Sequence, residues 1–199
     1  MVAKGIDMEV LFYGFQICLT VFGLYCFVIS LFGFFRKPED YSVPPTSRFA
    51  VVIAAHNEEL VIGELVRNLQ DLNYPKELYD IYVVADNCND RTAAIAREQG
   101  AQVFERFNKK EIGKGYALEY AFNHIFAGKK EYDAVVVIDA DNLVAPDFLR
   151  VMNAHLLKGE KIVQGYLDTK NADDTWITKS IYVSYALTNR LWQLAKYNL

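Results

Sequence analysis

Residues 10–35 contain no Asp, Glu, Lys, Arg or His, a mostly apolar, uncharged run of 26 positions. About 20 apolar residues suffice to span a bilayer as a helix, so the pattern predicts a transmembrane helix over 10–35 behind a short tail, 1–9. Polar residues with Pro38, Pro44 and Pro45 then predict a linker over 36–48, since proline cannot continue a helix. From Phe49 the period changes. The run 49–55, FAVVIAA, has strand length and no polar position. Behind it, Asn57 is placed to cap a helix with Glu58 and Glu59 in its first turn. Leu60, Val61, Leu65, Leu69 and Leu72 carry that helix to about residue 72 at helical spacing. The alternation repeats: a strand at 80–85, a helix capped by Asn89 or Asp90 and ending at Gly100, and a strand at 101–105. A helix at 114–126, a strand at 132–138, a helix at 146–157 and a strand at 161–164 follow.

Short apolar strands alternating with amphipathic helices define an α/β class with a mostly parallel sheet covered by helices on both faces. Such sheets bind ligands at the carboxyl ends of their strands. The predicted organisation is therefore a membrane helix, a linker, an α/β domain over 49–170, and an aromatic helix over 171–199. In that last segment Trp176, Ile177, Ile181, Tyr182, Tyr185, Leu191, Trp192, Leu194 and Tyr197 alternate with Lys179, Arg190 and Lys196. Aromatics beside cations suit a membrane–water interface, or a surface covered by further sequence, or packing against the sheet.

Composition sharpens this picture. Hydrophobic residues make up 52% of the 199 positions and the net charge is -4, which disfavours a nucleic-acid binder dependent on clustered Lys and Arg. Cys18 and Cys26 fall in the apolar run and Cys88 stands alone, so no disulfide framework is predicted. The histidines His56, His124 and His155 show no ligand spacing with cysteine. Lys4 is followed by Asp7 and Glu9, and the run is too long for a signal peptide's apolar core. Arg36 and Lys37 at the far end of the helix place the amino terminus outside the cell membrane and the α/β domain in the cytoplasm.

Four polar clusters sit at predicted strand or helix ends: VVIAAHNEE (51–59), VVADNCNDRT (83–92), GKGYAL (113–118) and VIDADN (137–142). Asp139 and Asp141 leave one strand two positions apart. They could hold a Mg or Mn ion on a diphosphate, or form a surface pair capping the next helix. Asp86 could accept from the N–H of a base or satisfy its own turn. Lys114, between glycines at a helix start, could meet phosphate oxygens or stay solvated.

In this order the clusters resemble family-2 glycosyltransferases of the GT-A, Rossmann-like nucleotide-sugar fold. The membrane-bound type is the nearest in pattern, similar to cellulose, hyaluronan and poly-N-acetylglucosamine synthases. The resemblance covers roughly residues 49–166. It implies that Ala55, His56, Asn57 and Glu58 line the nucleotide pocket and that Asp86 recognises the base, uracil. It further implies that Lys114 lies near the diphosphate or the base, that Asp139 stands by the ribose and diphosphate, and that Asp141 ligates Mg or Mn directly. The donor would be a UDP-sugar and the acceptor a glycan or lipid.

Two features depart from that family. Ala85 stands where many relatives have a first Asp, which leaves Asp86 alone for the base. The acidic motif that supplies a general base, and the Gln-x-x-Arg-Trp motif near the acceptor, are not found. Asp168, Asp173 and Asp174 follow the metal motif too soon, and Gln193 precedes Leu-Ala-Lys-Tyr. No catalytic base is therefore identified, and it is expected in sequence beyond Leu199. A donor-binding scaffold completed by another chain is the alternative. A metal-dependent nucleotidyl- or phosphotransferase is another, although neither GxGxxG nor GxxxxGK[ST] occurs.

Overall fold

The computed structural model describes residues 8–35 and 41–199. They divide into two compact units, one of residues 41–164 and one combining residues 8–35 with 165–199. In chain order the elements are α1 (Met8–Leu31), β1 (Phe49–Ala55), α2 (Ile62–Gln70), β2 (Tyr79–Asp86), α3 (Thr92–Glu98) and β3 (Gln102–Arg106). They continue with α4 (Lys114–Phe126), β4 (Ala134–Asp139), α5 (Phe148–Leu157), α6 (Trp176–Thr188) and α7 (Ala195–Asn198). A 3-10 turn, Phe32–Phe34, follows α1, and a π turn, Asn189–Leu194, joins α6 to α7.

The sheet has the order β3-β2-β1-β4 and all three pairings are parallel. β1 is central, which explains its continuous apolar sequence: with both faces covered there is no solvent side to alternate with. Val51 and Ile53 pack with Ile62, Leu65, Val66 and Leu69 of α2 and with Leu149 of α5. Ala50, Val52 and Val84 face the opposite layer, where Ala117, Ala121 and Ile125 of α4 cover them. The predicted three-layer α/β class is the one observed. Leu65 is fully buried, so Leu65→Ala is expected to cost about 2–5 kcal/mol, read by urea unfolding of the detergent-solubilised chain.

Several boundaries differ from expectation. α2 begins at Ile62 rather than beside Asn57, because Asn57 adopts a φ of 55° and residues 56–61 form a turn. β4 begins at Ala134, not 132. The Tyr132 hydroxyl donates to the Asp80 carboxylate at 2.6 Å, and the Asp133 carboxylate accepts from the Arg48 N–H at 2.7 Å, so both are drawn out of the ladder. α5 starts at Phe148, and the Asp147 carboxylate accepts from the Asn73 side-chain amide instead of capping it. The strand expected at 161–164 does not form: Ile162 is 90% exposed, and four residues with no ladder partner have nothing to hold them extended.

α1 and the turn behind it are long and apolar enough to cross a membrane. Lys4, Asp7, Arg36, Lys37 and Pro38, with most of the predicted tail and the start of the linker, lie outside the described residues.

Candidate functional site

Strand register puts the polar clusters in one row. Ala55 pairs with Ala85, Ala54 with Asp139, and Asp86 with Arg106, so the four strands end at the same level. Neighbouring strands lie about 4.8 Å apart, which makes the row from Arg106 to Asp139 roughly 14 Å long. The order across it is Arg106, Asp86, the 55–58 segment, then Asp139.

One end of the row is buried. Asp86 is 6% exposed, and its Oδ1 accepts from Arg106 Nη1 at 2.7 Å and from the Asn87 amide at 3.1 Å. Arg106 is equally buried, and Nη1 also donates to the Glu111 carbonyl at 2.9 Å. The Glu111 carboxylate takes Arg106 Nη2 at 3.3 Å and the Asn108 amide at 2.8 Å. Asn108 in turn donates its backbone N–H to Asn87 Oδ1 at 2.8 Å, so the loop after β3 is fastened to the loop after β2. A buried ion pair with this many accessory hydrogen bonds is held rigidly, because breaking one contact leaves a desolvated charge.

The 55–58 segment is braced against the same loop. His56 Nδ1 lies 2.7 Å from the Asp86 carbonyl, where an Nδ1–H donates. Asn57 Oδ1 accepts from the Asn89 N–H at 2.9 Å, and the Glu58 N–H donates to Thr92 Oγ1 at 2.8 Å. The Glu59 N–H donates to the Asp90 carboxylate at 3.1 Å, while its own carboxylate accepts from the Arg91 N–H at 3.0 Å. Desolvation pushes Asp90 upward, but hydrogen bonds from the Thr92 hydroxyl and N–H and from the Glu59 N–H outweigh it and hold the carboxyl below its ordinary value. Cys88 fills the gap between the loops. Its thiol donates to the Ala55 carbonyl at 3.5 Å and its sulfur accepts from the Asn57 N–H at 3.4 Å. Burial, reinforced by Asp90 and Asp86, pushes the Cys88 thiol above its usual range.

The other end of the row is open. Lys114, the first residue of α4, pairs its ammonium with Asp139 Oδ1, and the two side chains are 50% and 54% exposed. Gly113 precedes it at φ 126°, a conformation that a side chain would strain. Asp139 is the last residue of β4. The Asn142 N–H donates to its carbonyl at 3.1 Å, closing a turn through Ala140 and Asp141. Strand alternation therefore stops at Asp139, and it is the turn that places exposed Asp141. Asn68 of α2 brackets the following loop, donating to the Val144 carbonyl at 3.1 Å and accepting from its N–H at 2.8 Å.

The predicted site residues thus fall into two groups along the row, one at the ends of β2 and β1 and one at the end of β4 and the start of α4. Ala55, His56, Asn57 and Glu58 gather around Asp86, and Lys114 gathers with Asp139 beside the Asp141 turn. Among the described residues no cluster of three or more His, Cys, Asp or Glu side chains forms a self-sufficient metal cage. Two exposed carboxylates at a strand end nevertheless fit Mg or Mn, which takes its remaining oxygens from water and phosphate. Arg106, Thr92 and Asn68 escape a reading of sequence. Arg106 becomes visible only once the β2–β3 register is known.

The fold also appears in a solved protein, the mannosyltransferase PcManGT from Pyrobaculum calidifontis in complex with GDP-Man and Mn2+. The match has a TM-score of 0.53 at 27% identity, over 70% of this chain and 42% of that one. This is the GT-A class of α/β domain. The chain belongs to the glycosyltransferase-like family 2, whose pattern matches residues 44–197. It is 36% identical over 114 residues to a beta-monoglucosyldiacylglycerol synthase of Synechocystis sp., covering 56% of this chain and 23% of that protein. It is 28% identical over 152 residues to an N-acetylglucosaminyltransferase of Rhizobium leguminosarum bv. viciae, covering 75% of this chain and 35% of that protein. The chain therefore spans about a third or less of the length of these curated relatives.

Proposed function

We propose that this chain holds the donor of a membrane-anchored inverting glycosyltransferase, which passes a sugar from a UDP-sugar to a glycan or lipid acceptor. The observation that carries this reading is the polarity of the row of strand ends. A buried, rigid acceptor at Asp86 suits a base, and an exposed Lys114–Asp139–Asp141 group about two strand spacings away suits a diphosphate. Ala55, His56, Asn57 and Glu58 line the ground between. The relatives' names, a glucosyldiacylglycerol synthase and an N-acetylglucosaminyltransferase, suit a lipid or glycan acceptor.

The contacts on Asp86 favour uridine in particular. Arg106 and Asn87 both engage Oδ1, which leaves Oδ2 for a ligand. One acceptor oxygen matches the single imide N–H of uracil, whereas guanine presents two adjacent donors that call for both oxygens. Asp139 and Asp141 would hold Mg or Mn, which when bound offsets charge on the departing nucleoside diphosphate. Lys114 contributes a further point charge there and orients the phosphates. α1 anchors the chain in the cell membrane, amino terminus outside and sheet in the cytoplasm.

Calorimetry of the solubilised chain with Mn present is expected to show uridine diphosphate binding at least about tenfold tighter than guanosine diphosphate. Asp86→Asn removes a charged hydrogen bond worth about 1.5–3 kcal/mol, so uridine diphosphate should weaken about 10- to 100-fold while pyrophosphate is unaffected. Equal losses for the two ligands would remove Asp86 from base recognition.

A further inference from the structure

We infer that Lys114 is an exchangeable counterion: before the donor binds, its ammonium holds Asp139 in place of a divalent cation, and it passes to the diphosphate only as Mg or Mn takes Asp139. It rests on the proposed donor site and concerns how that site fills. Helix stability does not account for this lysine. Lys114 opens α4, a helix of 13 residues whose first turn contains no acidic residue and whose N-cap, Gly113, offers no side chain to the first N–H groups. A cation at that end opposes the helix dipole, so the position costs α4 stability. The pair with Asp139 returns little, since the two side chains are 50% and 54% exposed and water screens them. A Cβ on Gly113 or Gly115 would meet nothing within 4 Å, so the backbone on either side of Lys114 is open. A compact charge on a flexible stem suits a change of partner there.

Charge decides the order of filling. Asp139 and Asp141 with Lys114 are two carboxylates and one ammonium, which leaves the group a single negative charge. A divalent cation alone would turn that balance positive and would share Asp139 with the ammonium. Among the described residues no third His, Cys, Asp or Glu completes a cage for it. A bare cation therefore competes with Lys114 and is held weakly. A diphosphate reverses this, because its oxygens complete the coordination of the cation and offer the ammonium a charged partner in exchange for Asp139. Each ligand removes the obstacle to the other, so metal and nucleoside diphosphate enter as a cooperative pair.

The test titrates Mn alone into the full detergent-solubilised chain, where the sharp paramagnetic resonance signal of aqueous Mn reports what stays unbound. Lys114→Met and Lys114→Gln are each expected to bind Mn alone about 3- to 10-fold more tightly than wild type, the effect of removing one screened charge beside a divalent cation. Calorimetry with Mn present should show the opposite sign for uridine diphosphate, weakened about tenfold in both variants by loss of a charged hydrogen bond. Lys114→Arg keeps the charge and should leave the binding of Mn alone near wild type. Adding Asp139→Asn to Lys114→Met should erase the gain. In a chain whose uridine diphosphate binding needs Mn, unchanged or weaker binding of Mn alone by both neutral variants overturns the exchange and leaves Lys114 a fixed phosphate contact. Tighter Mn with undiminished uridine diphosphate also overturns it, because the ammonium then bars the metal without passing to phosphate. Wild-type uridine diphosphate binding that ignores Mn brings down the proposed metal role of the aspartates, and the exchange with it.

Discussion

Replacing Asp139 and Asp141 together by Asn is expected to abolish the part of uridine diphosphate binding that depends on Mg or Mn. The pair places two carboxylates at the open end of the row, beside a lysine that neutralises one of them. A cation held there takes its other ligands from water and phosphate, so removing both carboxylates removes the protein's grip on it. A metal–phosphate clamp contributes several kcal/mol, and about 3 kcal/mol corresponds to a loss of roughly 100-fold. The single variants separate the roles: Asp141→Asn, at the proposed direct ligand, should lose more than Asp139→Asn, whose charge Lys114 already shares. Calorimetry with Mn and with chelator reads both. Wild-type binding that is indifferent to chelator would show that the pair serves the turn at the end of β4 and nothing more.

The parts of this architecture that were legible in sequence are those that burial dictates. β1 and β2 read as continuous apolar runs because both faces are covered, and α4 was bounded correctly because its glycines and helical period agree. The errors arise where side chains bond across the chain. Asn57 has the composition of a helix cap, yet its side chain accepts from the Asn89 N–H, 32 residues away, and the helix starts later. The helix expected from 146 starts only at Phe148, with the Asp147 carboxylate taken by the Asn73 amide. Period-two reasoning points Asp139 and Asp141 the same way as they leave the strand, but the chain turns at Asp139. Propensity reports what a residue can do locally, and these residues are engaged by partners that only the fold brings near.

The base end of the row shows the same limit with larger consequences. Asp86 could be identified by its place in a motif. Arg106 could not, because nothing in QVFER marks its last residue until register sets it opposite Asp86. The pair is only 6% and 8% exposed at 2.7 Å, so each charge depends on the other for its burial. Asp86→Leu alone, or Arg106→Met alone, strands a desolvated charge and is expected to cost about 3–5 kcal/mol by urea unfolding. The double variant replaces the pair with apolar groups and should recover most of that loss, giving a coupling energy of several kcal/mol in the cycle. Ligand binding separates the two contributions. The double variant, though folded, should lose the preference for uridine over guanosine diphosphate while keeping pyrophosphate affinity, since β4, which carries the proposed phosphate contacts, lies across β1 and is untouched. If the double variant keeps the uridine preference, the ion pair is a structural strut, and base selection must come from the 55–58 segment. If the single variants cost no more than the double, Arg106 does not hold Asp86, and the argument from one free oxygen falls with it.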